Sequence, residues 1–262
     1  LVGWSTFFEP PITENQSTQK KIERNEDSSS PSIDEKKTNN EVTRKEAISS
    51  TKRIKIENAN IKGSISLEGA IIDDVLFKNY KEKLGSENNV IFLNPRDSSK
   101  GYFIETGWAV AGNTKTKLPL NNSIWKIKGN SSLTPTTPIT LEWNNNEGLI
   151  FVKKIELDDK FLFKIKQEIK NTSNKSFQFY PYAQITKKSK PEGRQIYILH
   201  EGFIGVFGDE LREEDYGDIE KEKFITNSSK GWLGITDKYW LTAIVPEKGK
   251  DFKAEFLFKN QE

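Results

Sequence analysis

The sequence predicts an all-β protein, an antiparallel β-sandwich preceded by a disordered polar linker, and two observations carry that prediction. From Lys52 onward apolar residues recur at every second position. Ile54 and Ile56 alternate with Arg53, Lys55 and Glu57, Ile65 and Leu67 follow Gly63, and Phe161, Phe163, Ile165 and Ile169 oppose Lys164, Lys166, Glu168 and Lys170. Successive side chains of a strand point to opposite faces, so this alternation describes strands with one buried and one wet face. Turn-forming clusters divide these runs at Glu68-Gly69, Asn94-Pro95, Gly112-Asn113, Pro119 to Asn122, Gly129-Asn130, Asn144 to Gly148, Asp158-Asp159 and Asn171 to Asn174, which marks out about a dozen strands. Helical periodicity longer than two turns has one candidate, Glu210 to Lys223. Two antiparallel sheets packed face to face satisfy this pattern.

Taken in order, the chain opens on Leu1 to Phe8, apolar and aromatic, which as helix would cover only ~12 Å of a ~30 Å bilayer core. It reads either as a disordered hydrophobic end or as the outer end of a transmembrane helix, with Trp4, Phe7 and Phe8 as interfacial aromatics and Pro10-Pro11 as its stop. Residues 9–50 are rich in Glu, Lys, Asn, Ser and Thr, without aromatics and with Ile12, Ile22 and Ile33 isolated. Such a segment buries too little to order itself, and as a flexible tether of about 42 residues it would reach roughly 36 Å. The folded domain is expected over 51–262.

The densest apolar run is Ser229 to Pro246. It reads as two strands, Trp232 to Ile235 and Tyr239 to Val245, joined at Asp237-Lys238, with Gly231 and Gly234 relaxing the backbone and Pro246 ending the second. Trp232, Tyr239, Trp240, Leu241 and Ile244 are expected to enter the core. Phe252 to Phe258 is a further alternating strand.

Composition bounds the chemistry. In 262 residues, 34% apolar and 11% aromatic content suffices for a core, and 40 Lys plus Arg against 38 Asp plus Glu leaves a net charge of +2. No strong field argues for nucleic acid. With no Cys, disulfides, thiolate metal sites and a Cys nucleophile are excluded. With no Met, the initiator is absent and the sequence is expected to be less than the full translation product.

Three stretches carry a resemblance. The Ser-Lys-Gly-Trp-Leu-Gly-Ile-Thr-Asp-Lys-Tyr-Trp-Leu-Thr-Ala-Ile-Val-Pro segment, with Gly231, Trp232, Tyr239, Trp240 and Pro246 as its signature, resembles the large periplasmic domain of the YidC/Oxa/Alb family of membrane protein insertases. Gly63 to Val75 and Ile198 to Gly202 extend the similarity across roughly residues 52 to 258. The resemblance implies a β-supersandwich similar to the galactose mutarotase fold, at the outer face of the bacterial inner membrane. It favours the membrane-helix reading of Leu1 to Phe8. It also implies that the domain is C-terminally incomplete, because further strands, a closing helix and the insertase membrane helices follow in the family. The function implied is insertion and folding of membrane proteins, alone or with the Sec translocon and the SecDF accessory complex, by membrane-embedded residues that lie outside this sequence.

No catalytic, cofactor or metal site is read from the residues, and the chain is not expected to be an enzyme. His200 is the single histidine, whereas proton-transfer chemistry and catalytic metal sites want a second His or a Cys beside it. Lys187, Lys188, Lys190 and Arg194 form a basic loop too short for a nucleic-acid stripe. Glu210, Glu213, Glu214, Asp215 and Asp218, within Asp209 to Glu222, lack regular Ca²⁺-ligand spacing. They read as a solvated, partly helical segment whose functional use would be docking a basic partner. A stand-alone carbohydrate-binding module is the alternative, and it requires Trp108, Trp125 or Trp143 exposed on one concave face.

Overall fold

The computed structural model describes residues 42–112, 114–190, 200–237 and 239–259. The elements are α1 (Arg44–Ser50), β1 (Arg53–Glu57), β2 (Ile61–Ser66), β3 (Ile71–Lys81), β4 (Asn89–Leu93), β5 (Tyr102–Val110), β6 (Lys126–Lys128), β7 (Ser132–Leu133), β8 (Ile139–Asn144), β9 (Leu149–Leu157), β10 (Phe163–Asn171), β11 (Phe179–Lys187), β12 (Gly202–Phe207), β13 (Glu210–Asp215), α2 (Tyr216–Ile219), β14 (Phe224–Ser228), β15 (Gly231–Thr236), β16 (Leu241–Ile244) and β17 (Phe252–Phe256). The expected all-β architecture is present. A seven-stranded sheet has the order β11-β5-β3-β2-β1-β7, with β4 on β3; a second sheet runs β10-β9-β8-β6, a third β13-β12-β15-β16, and β14 pairs β17. The short β1–β7 contact is parallel, and the long hairpins such as β9–β10 are antiparallel.

The alternation in the sequence becomes a shared core. Ile54 and Ile56 of β1, Ile61 and Ile65 of β2 and Trp108 of β5 pack with Leu141 of β8 and Phe151, Ile155 and Leu157 of β9. Trp108 meets Phe151 edge to face at 5.1 Å between ring centroids and stacks on Trp125 at 6.3 Å. Each such side chain removed from water contributes roughly 1.5–3 kcal/mol. At one end the layers are pinned by Asn58, whose amide donates to Asp158 O at 2.8 Å and Lys160 O at 2.9 Å. A smaller core joins the third sheet to the β14–β17 ribbon through Phe207, Ile219, Ala254 and Phe256. The two bodies meet at a joint that is partly polar and partly aromatic. Lys187 of β11 pairs with Asp237, Tyr216 donates to Asp237 at 3.3 Å, and Tyr102 donates to Thr242 at 2.6 Å.

Three expectations need correction. Helix α1 lies within the stretch read as linker. Thr43 and Glu46 form a reciprocal capping box, Ala47 is buried, and Arg44 pairs with Asp74 of β3. Seven residues do not hold a helix alone, so this docking stabilises it; residues 1–41 lie outside the described residues. Second, Glu210 to Lys223 is an edge strand followed by one helical turn rather than a helix. Gly208, at φ 68°, and Asp209 close a two-residue hairpin that pairs Phe207 with Glu210 and draws the segment into the sheet. Third, β15 and β16 are joined by four residues, with Thr236 opposite Leu241. That loop lifts Tyr239 out of the strand, where it is 74% exposed, and leaves Leu241 46% exposed because Thr242 takes the inward position. Trp232 and Ile244 are half-buried. Trp240 leaves the third sheet's own core and packs on Phe77 at 4.6 Å and Tyr80 at 4.9 Å.

A bulge sets the charged lock inside the large sheet. Ser64 pairs with Asp74 and Ile65 with Ile72, so Asp73 is the extra residue of β3, and both carboxylates are buried. Arg53 pairs with Asp73 and donates to Ser64 Oγ at 2.7 Å, and Ser64 passes a 2.7 Å hydrogen bond to Asp74. Burial lifts the Asp73 carboxyl above its ordinary range, against the pull of Arg53.

Two stability outcomes follow. Arg53→Leu leaves a buried carboxylate without its counter-charge and is expected to cost about 3–5 kcal/mol in urea unfolding, part of it recovered by adding Asp73→Asn. Phe151→Ala is expected to cost about 3–5 kcal/mol, against less than about 0.5 kcal/mol for the exposed Val245→Ala.

Candidate partner-binding surface and a buried lysine

Strand β13 is the outer strand of the third sheet, paired on one side with β12 and carrying Glu-Leu-Arg-Glu-Glu-Asp. Its outer edge offers backbone N–H and C=O groups that the sheet leaves unpaired. The five carboxylates singled out from sequence divide into two sets. Arg212 reaches Glu214 at 2.5 Å while lying over the Phe224 ring at 4.9 Å, His200 Nδ1 stands 3.4 Å from Asp215, and Lys221 lies 3.4 Å from Asp218. Glu210 and Glu213 are exposed and form no ion pair among the described residues. They are the charges left to act outward. His200 Nε2 is 2.8 Å from Phe203 O, so both of its ring nitrogens serve the strand junction. Lys187 of the basic loop is spent on Asp237; Arg194 lies outside the described residues.

One strongly perturbed group was not singled out in the sequence. Lys153 sits on β9 with inward-facing Phe151 and Ile155 on either side and is 1% exposed. It is captured by the β2–β3 turn, where Gly69 and Ala70 take φ values of 76° and 54° and present their carbonyls to Lys153 Nζ at 3.3 and 3.4 Å. A left-handed alanine is uncommon, and here it aims a carbonyl at a buried cation. The ammonium also lies 4.8 Å from the Trp125 ring centroid. Burial lowers the Lys153 pKa to about 7, opposed by the Glu105 carboxylate of β5, whose own pKa burial raises.

The family model of the YidC periplasmic domain matches residues 53–261. The chain belongs to this family. Membrane protein insertase YidC of Pelagibacter ubique (strain HTCC1062) is 43% identical over 264 residues, covering 100% of this chain and 47% of the relative. The proteins of the same name from Methylorubrum extorquens (strain PA1) and Bradyrhizobium diazoefficiens are 39% and 41% identical, over 82% of this chain and 36% and 35% of their own. The chain thus spans less than half the length of these relatives. Among the described residues no helix is long and apolar enough to cross a membrane, and Leu1 to Phe8 lie outside them.

Within the YidC periplasmic domain the signature segment has a structural reading. At Gly231, φ is 128° and an added Cβ would stand 1.8 Å from Val206 O, so only glycine lets β15 lie against β12. Trp108 and Trp125 are buried and Trp143 packs on Phe151 at 5.8 Å. No exposed indole platform exists among these three, and the carbohydrate-binding alternative is not favoured.

The buried lysine sets a pH dependence. Its folded pKa lies below its unfolded value of about 10.4, so between pH 7 and about 10 the unfolded chain binds the extra proton and stability rises with pH. Thermal unfolding from pH 7 to 9.5 is expected to show this rise, below the range where tyrosines ionise, and Lys153→Met is expected to flatten it.

Proposed function

We propose that the chain is the periplasmic domain of a bacterial inner-membrane protein insertase, which inserts and folds membrane proteins alone or with the Sec translocon and the SecDF accessory complex. The observation that carries this reading is the family match over residues 53–261. Insertion itself belongs to membrane segments beyond these residues. The domain contributes a contact surface, not a reaction. Its single histidine is engaged by Phe203 O and Asp215, which leaves no imidazole pair for proton transfer on a sugar. The purified chain is expected to show no epimerase or glycosidase turnover.

Within this reading the contact surface is the edge of β13. Backbone groups on an outer strand supply the pairing, and the free carboxylates of Glu210 and Glu213 draw a basic partner segment. The test is a photo-crosslinker at Glu213 in the full-length protein in native membranes. Products containing a Sec component or a membrane protein are expected. Charge reversal in Glu210→Lys/Glu213→Lys should reduce their yield at least severalfold without changing the unfolding midpoint of the domain. Crosslinks to lipid alone, or a yield indifferent to charge reversal, would remove β13 from the proposal.

A further inference from the structure

A small cavity adjoins Lys153. Glu105, Trp125 and Lys153 line a cavity of about 10 Å³ between β5, β9 and the loop carrying Leu120, with Tyr182 of β11 at its side. That volume is the room of one water-sized oxygen. Glu105 is 5% exposed and its Oε1 has no hydrogen-bond partner; Trp125 is 2% exposed and its indole Nε1 has none either. The two hydrogen bonds of the Lys153 ammonium, at 3.3 and 3.4 Å, are long for an N–H to a carbonyl. Buried polar atoms in native proteins find partners, and here two without partners belong to side chains that line one cavity with the weakly bonded Lys153.

We infer that this cavity is a binding site for a single hydroxyl oxygen. The oxygen accepts from the Trp125 indole N–H and from the Lys153 ammonium and donates to Glu105 Oε1. The donor set selects the chemistry. An anion meets the Glu105 carboxylate, a cation meets the Lys153 ammonium, and a carbonyl oxygen accepts twice but gives Glu105 no proton. Only a group that is donor and acceptor at one atom satisfies all three side chains. Such an oxygen comes either from water or from the hydroxyl of a small alcohol entering beside Leu120, which is 61% exposed. The bound oxygen would tie the loop to both sheets, adding to the backbone hydrogen bonds from Gly69 N to Ser123 O and from Trp125 N to Leu67 O, each 2.8 Å.

The site stands independently of the partner surface on β13. Its test is nuclear magnetic resonance of the full chain together with a crystal structure at atomic resolution. In water, a cross-peak from a long-lived water to the Trp125 indole proton is expected, with an ordered oxygen within hydrogen-bond distance of Glu105 Oε1 in the map. Titration with methanol separates the sources. A saturable shift of the Trp125 indole resonance with loss of the water cross-peak identifies an alcohol-accepting site, and an unchanged cross-peak identifies a site for water; either supports a hydroxyl site. Lys153→Met and Glu105→Gln should each weaken the cross-peak, while both wild-type readouts need no variant to fold. A dry cavity in the map with no water cross-peak and no methanol shift would overturn the inference, as would an ion occupying the position.

Discussion

Burying one face of the large sheet against one face of β8 and β9 is the constraint on which the rest of the structure depends. Ile54 and Ile56 on one side and Leu141, Phe151 and Ile155 on the other are almost wholly removed from water. A strand has period two, so slipping any of these strands by one residue would turn Lys55, Lys154 or Glu156 inward and expose the apolar set. The register is therefore fixed by the core and not by the turns alone. Residues that break the alternation while remaining inside stand out against it, because each carries a desolvation cost that other groups must offset.

Two groups of such residues stand out among the described residues, and they are resolved differently. Arg53, Asp73, Asp74, Ser64 and Arg44 form a connected set in which the bulge of β3 makes room for adjacent carboxylates on the same side of the strand, and two arginines meet them. That set also fastens α1, so the chain's entry into the domain is held by the same charges that close the sheet. Lys153 and Glu105 differ because no direct ion pair completes them and three polar atoms share one small cavity. In one lock every charge meets a protein counter-charge, with only Arg44 Nε left without a hydrogen-bond partner, and the other leaves a place for a solvent-sized oxygen.

The large features were legible because they rest on periodicity. The strands of the sandwich and the turns at Glu68-Gly69, Asp158-Asp159 and Asn144 to Gly148 follow from local patterns, and the structure has them. Helix α1 was legible too, in Thr43 followed three residues later by Glu46, but the polar composition around it outweighed a short signal. Tyr239 and Trp240 could not be placed because the loop between β15 and β16 takes four residues, and loop length depends on where the indole of Trp240 finds neighbours, on another sheet. Lys153 carries a visible signal. In Leu149-x-Phe151-x-Lys153-x-Ile155-x-Leu157 it holds the middle core position of a strand, whereas its partners Glu105 and Trp125 are distant in sequence and only the fold brings them together. For β13 the carboxylates were visible, and which of them were free was not, since Arg212 and Lys221 pair with Glu214 and Asp218 and His200 stands beside Asp215 only in the fold.

The division of charge on β13 bears on what that edge can accept. An outer strand with unpaired backbone groups invites pairing with any extended chain, including a second copy of itself, and charged side chains are a common protection against that. Two antiparallel copies of β13 would bring carboxylates of Glu210 and Glu213 toward one another, and like charges opposed across strands are unfavourable. The same two residues attract a strand that carries Lys or Arg at matching positions. Discrimination of this kind needs repulsion toward the wrong partner as much as attraction toward the right one. By engaging Glu214, Asp215 and Asp218 internally and leaving Glu210 and Glu213 free, the fold keeps one free carboxylate on each face of the strand to exert both effects.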